Sequence, residues 1–143
     1  MKKNRGFSLI ELLIVVAIIL ILAAIAIPSM MRAKVAANEA SAVSSLRTIT
    51  NAQVVYKISY SSYAASMEEL GPSGAGSLDS ILGLSPYQKS GYQFSTTGET
   101  DKFAVFGVPI GANGIRSFCT ATPAVIRFSH PGTACDPVTS PLL

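Results

Sequence analysis

The sequence predicts an α+β fold, with a long N-terminal α-helix packed on a four-stranded antiparallel sheet. Three observations carry that prediction. Phe7–Ile27 holds 19 apolar residues in 21, broken only by Ser8 and Glu11. Ala42, Leu46, Ile49, Tyr56 and Tyr60 then recur at three- and four-residue spacings, with Gln53 as the polar exception, so they form one helical face. From Gly91 onward, short β-prone runs alternate with Gly, Pro, Asn and Asp. With 143 residues, the chain has room for one folded domain.

The elements follow in order. Lys2, Lys3 and Arg5 form a short basic stretch over residues 1–6. Residues 7–28 make the apolar first half of the helix, long enough for a bilayer core of about 30 Å. Basic flanks stay cytoplasmic, so the C-terminal portion is expected outside the cytoplasm. Pro28 has no amide donor and clashes with the carbonyl four residues back, so a kink or break is expected there. Residues 29–61 continue as an amphipathic half, with Arg32, Lys34, Glu39, Arg47 and Lys57 as its polar remainder. From Phe7 to Tyr60 the helix would run about 80 Å at 1.5 Å per residue. The helical spacing of Tyr56 and Tyr60 assigns both rings to core packing.

Residues 62–91 read as a connector. Ser66-Met67-Glu68-Glu69 has capping-box spacing for one helical turn ending at Gly71. Ser77–Leu82, closed by Gly83, suggests another, and Gly71–Gly76 a flexible tip between them. Residues 92–143 hold the strands Tyr92–Thr96, Lys102–Ile110, Arg116–Thr122 and Val125–Ser129. Thr97–Asp101 and Gly111–Gly114 read as hairpin loops, and Pro123 excludes itself from a strand interior. Short links favour a meander with one face to bury, and the Ala42–Tyr60 stripe is the available cover.

Composition narrows the function. Charged residues are 13% of the chain, about half the usual share for a soluble protein. Three of the 11 basic residues lie in the first five positions, leaving eight to face eight acidic ones. The body is neutral, so no nucleic-acid partner is expected. One His, two Cys and no Trp leave little for a metal or redox centre, and neither a metal nor a cofactor is predicted. Glu99 and Asp101 supply too few oxygens for Ca²⁺, which takes six to eight. His130 stands in a Ser-His-Pro-Gly turn with only Asp136 near it in sequence, so no catalytic residues and no enzyme are expected.

Glu11 is the anomaly. A carboxylate inside a span costs about 2.5–3.5 kcal/mol near the centre and less towards the interface, and normally has a partner. No Lys or Arg lies between Arg5 and Arg32. A cleaved secretory signal and a plain signal anchor are the simpler readings. The first expects a shorter apolar core with a small-x-small site behind it, and here Ala24-Ile25-Ala26 lies inside the run. The second leaves Glu11 unexplained. A cut just before Phe7 would create an amine one helical turn from Glu11, on the same chain or on a neighbouring one.

Gly6-Phe7-Ser8-Leu9-Ile10-Glu11-Leu12 behind a basic leader resembles the processing signal of type IV pilins and type II secretion pseudopilins. The likeness runs on through Leu13–Pro28. It implies a pilin-like fold, with residues 1–6 as a leader removed by prepilin peptidase between Gly6 and Phe7. It also implies N-methylation of Phe7 and pairing of Glu11 with the amine of an adjacent subunit. Pro28 would be where the helix unwinds during assembly. Ser90–Phe94 and Gly114–Phe118 are similar to a pilin-like subgroup, with far less specificity.

Cys119 and Cys135 are the two cysteines, both in the part expected outside the cytoplasm, where an even count argues for a disulfide. Such a bridge would contribute about 3 kcal/mol and pin residues 130–138 to the sheet, where otherwise only Pro and Gly shape the chain. In resembling pilins a C-terminal disulfide loop is exposed, whereas major pseudopilins more often carry a calcium loop, which favours a pilus subunit. The resemblance implies a precursor in the inner membrane, with its N-terminus cytoplasmic. That precursor becomes a homopolymeric extracellular filament for adhesion, motility or DNA uptake. The implied partners are the peptidase, an inner-membrane assembly platform and a cytoplasmic assembly ATPase. The alternatives are a pseudopilin of a type II secretion system and a tethered domain that never polymerises.

Overall fold

A computed structural model describes residues 7–143. Gly6 and the basic stretch before it lie outside the described residues. The first helix, α1, is Leu9–Tyr60, with Pro28 inside it. The expected break at Pro28 does not occur: one lost amide donor interrupts a single rung of the ladder, and the neighbouring rungs continue. The helix stops where Ser61 takes a left-handed backbone (φ 60°) and its N–H still reaches the Lys57 carbonyl at 2.8 Å. The chain divides into two compact units, one up to Lys34 and one from Val35 to Leu143.

In the second unit the fold is α+β, as predicted. Its sheet has five strands: β1 (Gln88–Lys89), β2 (Tyr92–Gly98), β3 (Phe103–Pro109), β4 (Phe118–Ala121) and β5 (Val125–Phe128), antiparallel in chain order. The four expected strands are all present, and β1 is the addition. Two polar residues carry no alternating pattern. They pair with β2 because Ser90 and Gly91 both take positive φ, forming a two-residue turn between Lys89 and Tyr92. The meander is therefore complete, with an extra edge.

Alternation along β2 turns Tyr92, Phe94 and Thr96 inward, and Phe103, Val105 and Phe118 join them from β3 and β4. Ala42, Leu46, Ile49 and Gln53 of α1 cover this face and are fully buried. Gly107 permits the close approach, because a Cβ there would stand 2.8 Å from Leu46 Cδ1. Gln53 satisfies its buried amide by bridging Ala64 and Thr96: its Nε2 donates to the Ala64 carbonyl at 2.9 Å and to Thr96 Oγ1 at 2.8 Å, while its Oε1 accepts from Ala64 N–H. The stripe ends sooner than its spacing suggests. Tyr56 is half-buried, but Tyr60 is exposed and stacks on Tyr56 with ring centroids 4.4 Å apart.

The connector is more ordered than expected. The first predicted helical turn is present as a short helix, α2 (Met67–Leu70), between Ser66 and Gly71, although Glu69 accepts from the Ala65 amide instead of from Ser66. Ser77–Leu82 is not helical: Asp79 Oδ1 accepts from the amides of Ile81 and Leu82 and folds the segment as a turn. Gly71–Gly76 is tied by amide bonds to Glu69 and Gly71, and so is no loose tip.

Candidate assembly segment

Helix α1 begins as an apolar cylinder. Large side chains from Phe7 to Met31 are 45–76% exposed, and its most apolar 18-residue window has a mean hydropathy of 3.3 with none of it buried. A helix apolar on every side needs lipid or protein around it. By length and composition this one is able to cross a membrane.

Glu11 lies in the first turn of this helix. Its Oε2 accepts from the Ser8 backbone N–H at 3.1 Å, and the Ser8 carbonyl accepts from Leu12 N–H at 3.2 Å. Ser8 and Glu11 thus hold the N-cap and third positions of a half-formed capping box. The helix dipole also favours a negative charge here. Glu11 therefore has a partner within its own chain, which the sequence reading did not foresee.

In the second unit the polar centre is Glu39, whose carboxylate is buried. Glu39 Oε2 accepts from Arg116 Nη2 at 2.6 Å and from Nε at 2.9 Å, while Oε1 accepts from the amides of Ile115 and Arg116. Burial pushes this carboxyl up, but the Arg116 side chain and the two amides outweigh it and hold it below its ordinary value. Tyr92 donates to the Arg116 carbonyl at 2.8 Å. Burial, aided by the Glu39 charge and opposed by Arg116, pushes its hydroxyl up to about 12. Ile115 and Arg116, whose amides serve Glu39, stay out of the ladder, and β4 starts at Phe118 instead of Arg116. A signal for Glu39 existed in the sequence. One more three-residue step back along the Ala42–Leu46–Ile49 stripe lands on it.

Cys119 and Cys135 form the predicted disulfide, with Cα atoms 5.8 Å apart and the β4 cysteine fully buried. The tail needs more than the bridge, Pro and Gly. It runs back along β5, where Phe128 N–H donates to the Pro141 carbonyl and Arg127 Nη1 to the Ser140 carbonyl. Leu143 N–H donates to the Ile126 carbonyl, closing that edge. Glu99 and Asp101 face lysines, at 3.2 Å from Lys102 and 3.4 Å from Lys57. Among the described residues no group of three candidate ligands gathers, and His130 is exposed.

The family described as the prokaryotic N-terminal methylation motif matches residues 1–27. The N-terminal segment resembles that of type IV pilins and pseudopilins. The chain is 41% identical over 70 residues to the type IV wide pilus major component of Thermus thermophilus, covering 49% of this chain and 53% of that one. It is 42% identical over 69 residues to the type IV major pilin of Myxococcus xanthus, covering 48% and 31%. It is 34% identical over 94 residues to the type II secretion system core protein G of Escherichia coli, covering 63% and 61%. The chain thus spans about a third to three-fifths of the length of these curated relatives. Their names describe pilus and secretion-system components, not enzymes.

Proposed function

We propose that this protein is a structural subunit that polymerises into a type IV pilus filament. In this reading it waits in the inner membrane with its N-terminus cytoplasmic, and prepilin peptidase cuts between Gly6 and Phe7. Phe7 is then methylated, and an assembly platform driven by a cytoplasmic ATPase extracts the subunit. Adhesion, motility or DNA uptake is the task of the extracellular filament. The observation that carries the reading is one carboxylate, Glu11, in the first turn of an all-round apolar helix behind the methylation motif. Lipid tails are as apolar as Leu, so packing and polar pairing must direct the exchange of lipid for protein. Repeated head-to-tail contacts that do not close yield an open polymer. Pro28, already lacking one helical rung, is the place assigned to unwinding.

Glu11→Ala tests this directly. The expected result is a subunit inserted in the membrane and cut after Gly6, with surface filaments falling below about 1% of wild type, on the scale of a lost buried charge pair. Mass spectrometry of the mature N-terminus checks the cut. Normal filaments from this variant, or an intact Met1, would overturn the reading.

A second reading is a pseudopilin of a type II secretion system, building a short periplasmic filament that drives export. It draws on the 94-residue match to core protein G, longer than either pilin match given above. Deletion separates the two. Loss of surface filaments supports the pilus; loss of an exported enzyme without surface filaments supports the pseudopilin.

A further inference from the structure

Among the described residues the first unit carries charge at two levels. Glu11 stands in the first turn of α1, and Arg32 and Lys34 follow the last large apolar side chains, Met30 and Met31. Glu11 and Arg32 are 21 residues apart, about 32 Å of helix at 1.5 Å per residue. The hydrocarbon core of a bilayer is about 30 Å thick. A helix spanning it with Glu11 at one interface therefore brings Arg32 and Lys34 to the opposite headgroups. Both side chains are exposed, and neither joins an ion pair among the described residues. Two residues turn an α-helix by about 200° for about 3 Å of rise, so these cations leave opposite sides of the helix at nearly one depth.

We propose that Arg32 and Lys34 bind phospholipid phosphates on the non-cytoplasmic face of the inner membrane and fix the depth of α1 before assembly. This rests on the membrane precursor of the proposed function. A protein partner would lie on one side of the helix and meet one of the two charges, whereas a lipid leaflet surrounds the helix and meets both. The Arg32 guanidinium matches two phosphate oxygens with parallel N–H donors, and Lys34 offers a compact point charge. Their long stems let the charged heads reach the phosphates while the methylenes stay against apolar surface. Basic residues favour the cytoplasmic side, so a pair on the exported side needs a counter-charge there. The next carboxylate along the sequence, Glu39, is already held by Arg116. Extraction from the bilayer would break both phosphate contacts, so the same pair opposes early release.

The test uses the full-length protein in bilayers of phosphatidylcholine and phosphatidylglycerol, as wild type, Arg32→Gln, and Arg32→Gln combined with Lys34→Gln. Arginine Cζ carries ¹³C, and dephasing of its signal by ³¹P in solid-state NMR reads headgroup contact. The signal absent from Arg32→Gln belongs to Arg32. Amide exchange over residues 12–27 reads the span independently, and exchange over 29–31 reads its depth. The expected result is a slowly exchanging span and a dephased Arg32 signal, with exchange over 29–31 quickening about fivefold for each charge removed. A slowly exchanging span with an Arg32 signal untouched by phosphorus overturns the phosphate contact and leaves the membrane reading standing. Unchanged exchange over 29–31 in the double variant overturns the control of depth. Rapid exchange over 12–27 overturns the membrane reading and the proposal together. In bilayers of a phosphate-free glycolipid, with inorganic phosphate in the buffer, no dephasing is expected. Dephasing there would assign the site to free phosphate and overturn the lipid contact.

Discussion

The two halves of α1 use similar residues and come to opposite ends. In the first half Leu20 is 63% exposed, as are its neighbours all round the helix; in the second Leu46 is fully buried against Gly107 and the sheet. What separates them is pattern, not hydrophobicity. Apolar side chains on every side leave no polar face for water, so that half needs an apolar surrounding. A single stripe flanked by Arg47, Asn51 and Ser44 can be covered by one sheet. The sharpest way to break this comparison is to truncate one leucine in each half. Leu46→Ala is expected to destabilise the second unit by about 3–5 kcal/mol, a buried leucine left as a cavity. Leu20→Ala is expected to leave that unit's stability within about 0.5 kcal/mol, the usual range away from a core. All five tyrosines lie in the second unit, so tyrosine fluorescence during denaturant unfolding in detergent reads it alone. Equal losses would show that the two halves are not energetically separate.

The disulfide sharpens the contrast within the second unit, where the core is held by packing but the tail by a cross-link and an edge. Cys135→Ser is expected to cost about 3 kcal/mol, from the 16-residue separation and the unfolded chain it constrains. Limited proteolysis should then cut first within 129–143. A tail still resistant to protease would mean that its amide bonds to β5 suffice.

Much of this second unit was legible because its signals were local or periodic. The alternation of Tyr92, Phe94 and Thr96, and the steps from Ala42 to Gln53, each report burial directly. The Cys119–Cys135 pairing followed from there being only two cysteines. What escaped depends on partners distant in the chain. Glu39 fits the helical stripe but reads as surface until Arg116, 77 residues later, is brought to it. β1 has no pattern of its own and exists because β2 offers it an edge. Tyr60 keeps the period yet lies beyond the end of the sheet's cover. At the N-terminal segment Glu11 was conspicuous as an acid in an apolar run, whereas its bond to Ser8 required the helix start to be placed. The Gly6–Phe7 cut remains a reading of the motif, since Gly6 is outside the described residues.

Glu39 offers a pH-resolved way to sharpen the comparison, because it is the ionised group on which the second unit relies. Glu39→Gln keeps the shape and removes the charge opposite a partly exposed Arg116. Hydrogen bonds to charged groups contribute about 1.5–3 kcal/mol when buried, so about 1–2 is expected here after screening. The native pKa is depressed, and the unfolded chain therefore binds the proton more readily. The stabilisation is complete above the unfolded carboxyl value, about 4.3, and is lost as pH falls through the lower native value. Unfolding midpoints of wild type and variant should differ at pH 7 and converge in acid. A constant gap across that range would mean that the Glu39 charge is not the source.

Within the second unit the smallest effect is expected where the helical stripe runs out. Tyr60 stacks on Tyr56 but is more than half exposed, so its ring is shielded on one side only. An aromatic pair adds about 0.5–1.5 kcal/mol beyond the area it buries, and exposure places this one at the lower end. Tyr60→Ala should therefore cost about 0.5 kcal/mol in denaturant unfolding, several-fold less than Leu46→Ala on the same helix. Equal costs would mean that the stripe continues under cover to Tyr60 and that periodicity alone marks the core. A near-zero cost would place the boundary at Gln53, whose buried amide grips Ala64 and Thr96 and gives the helical face a polar end.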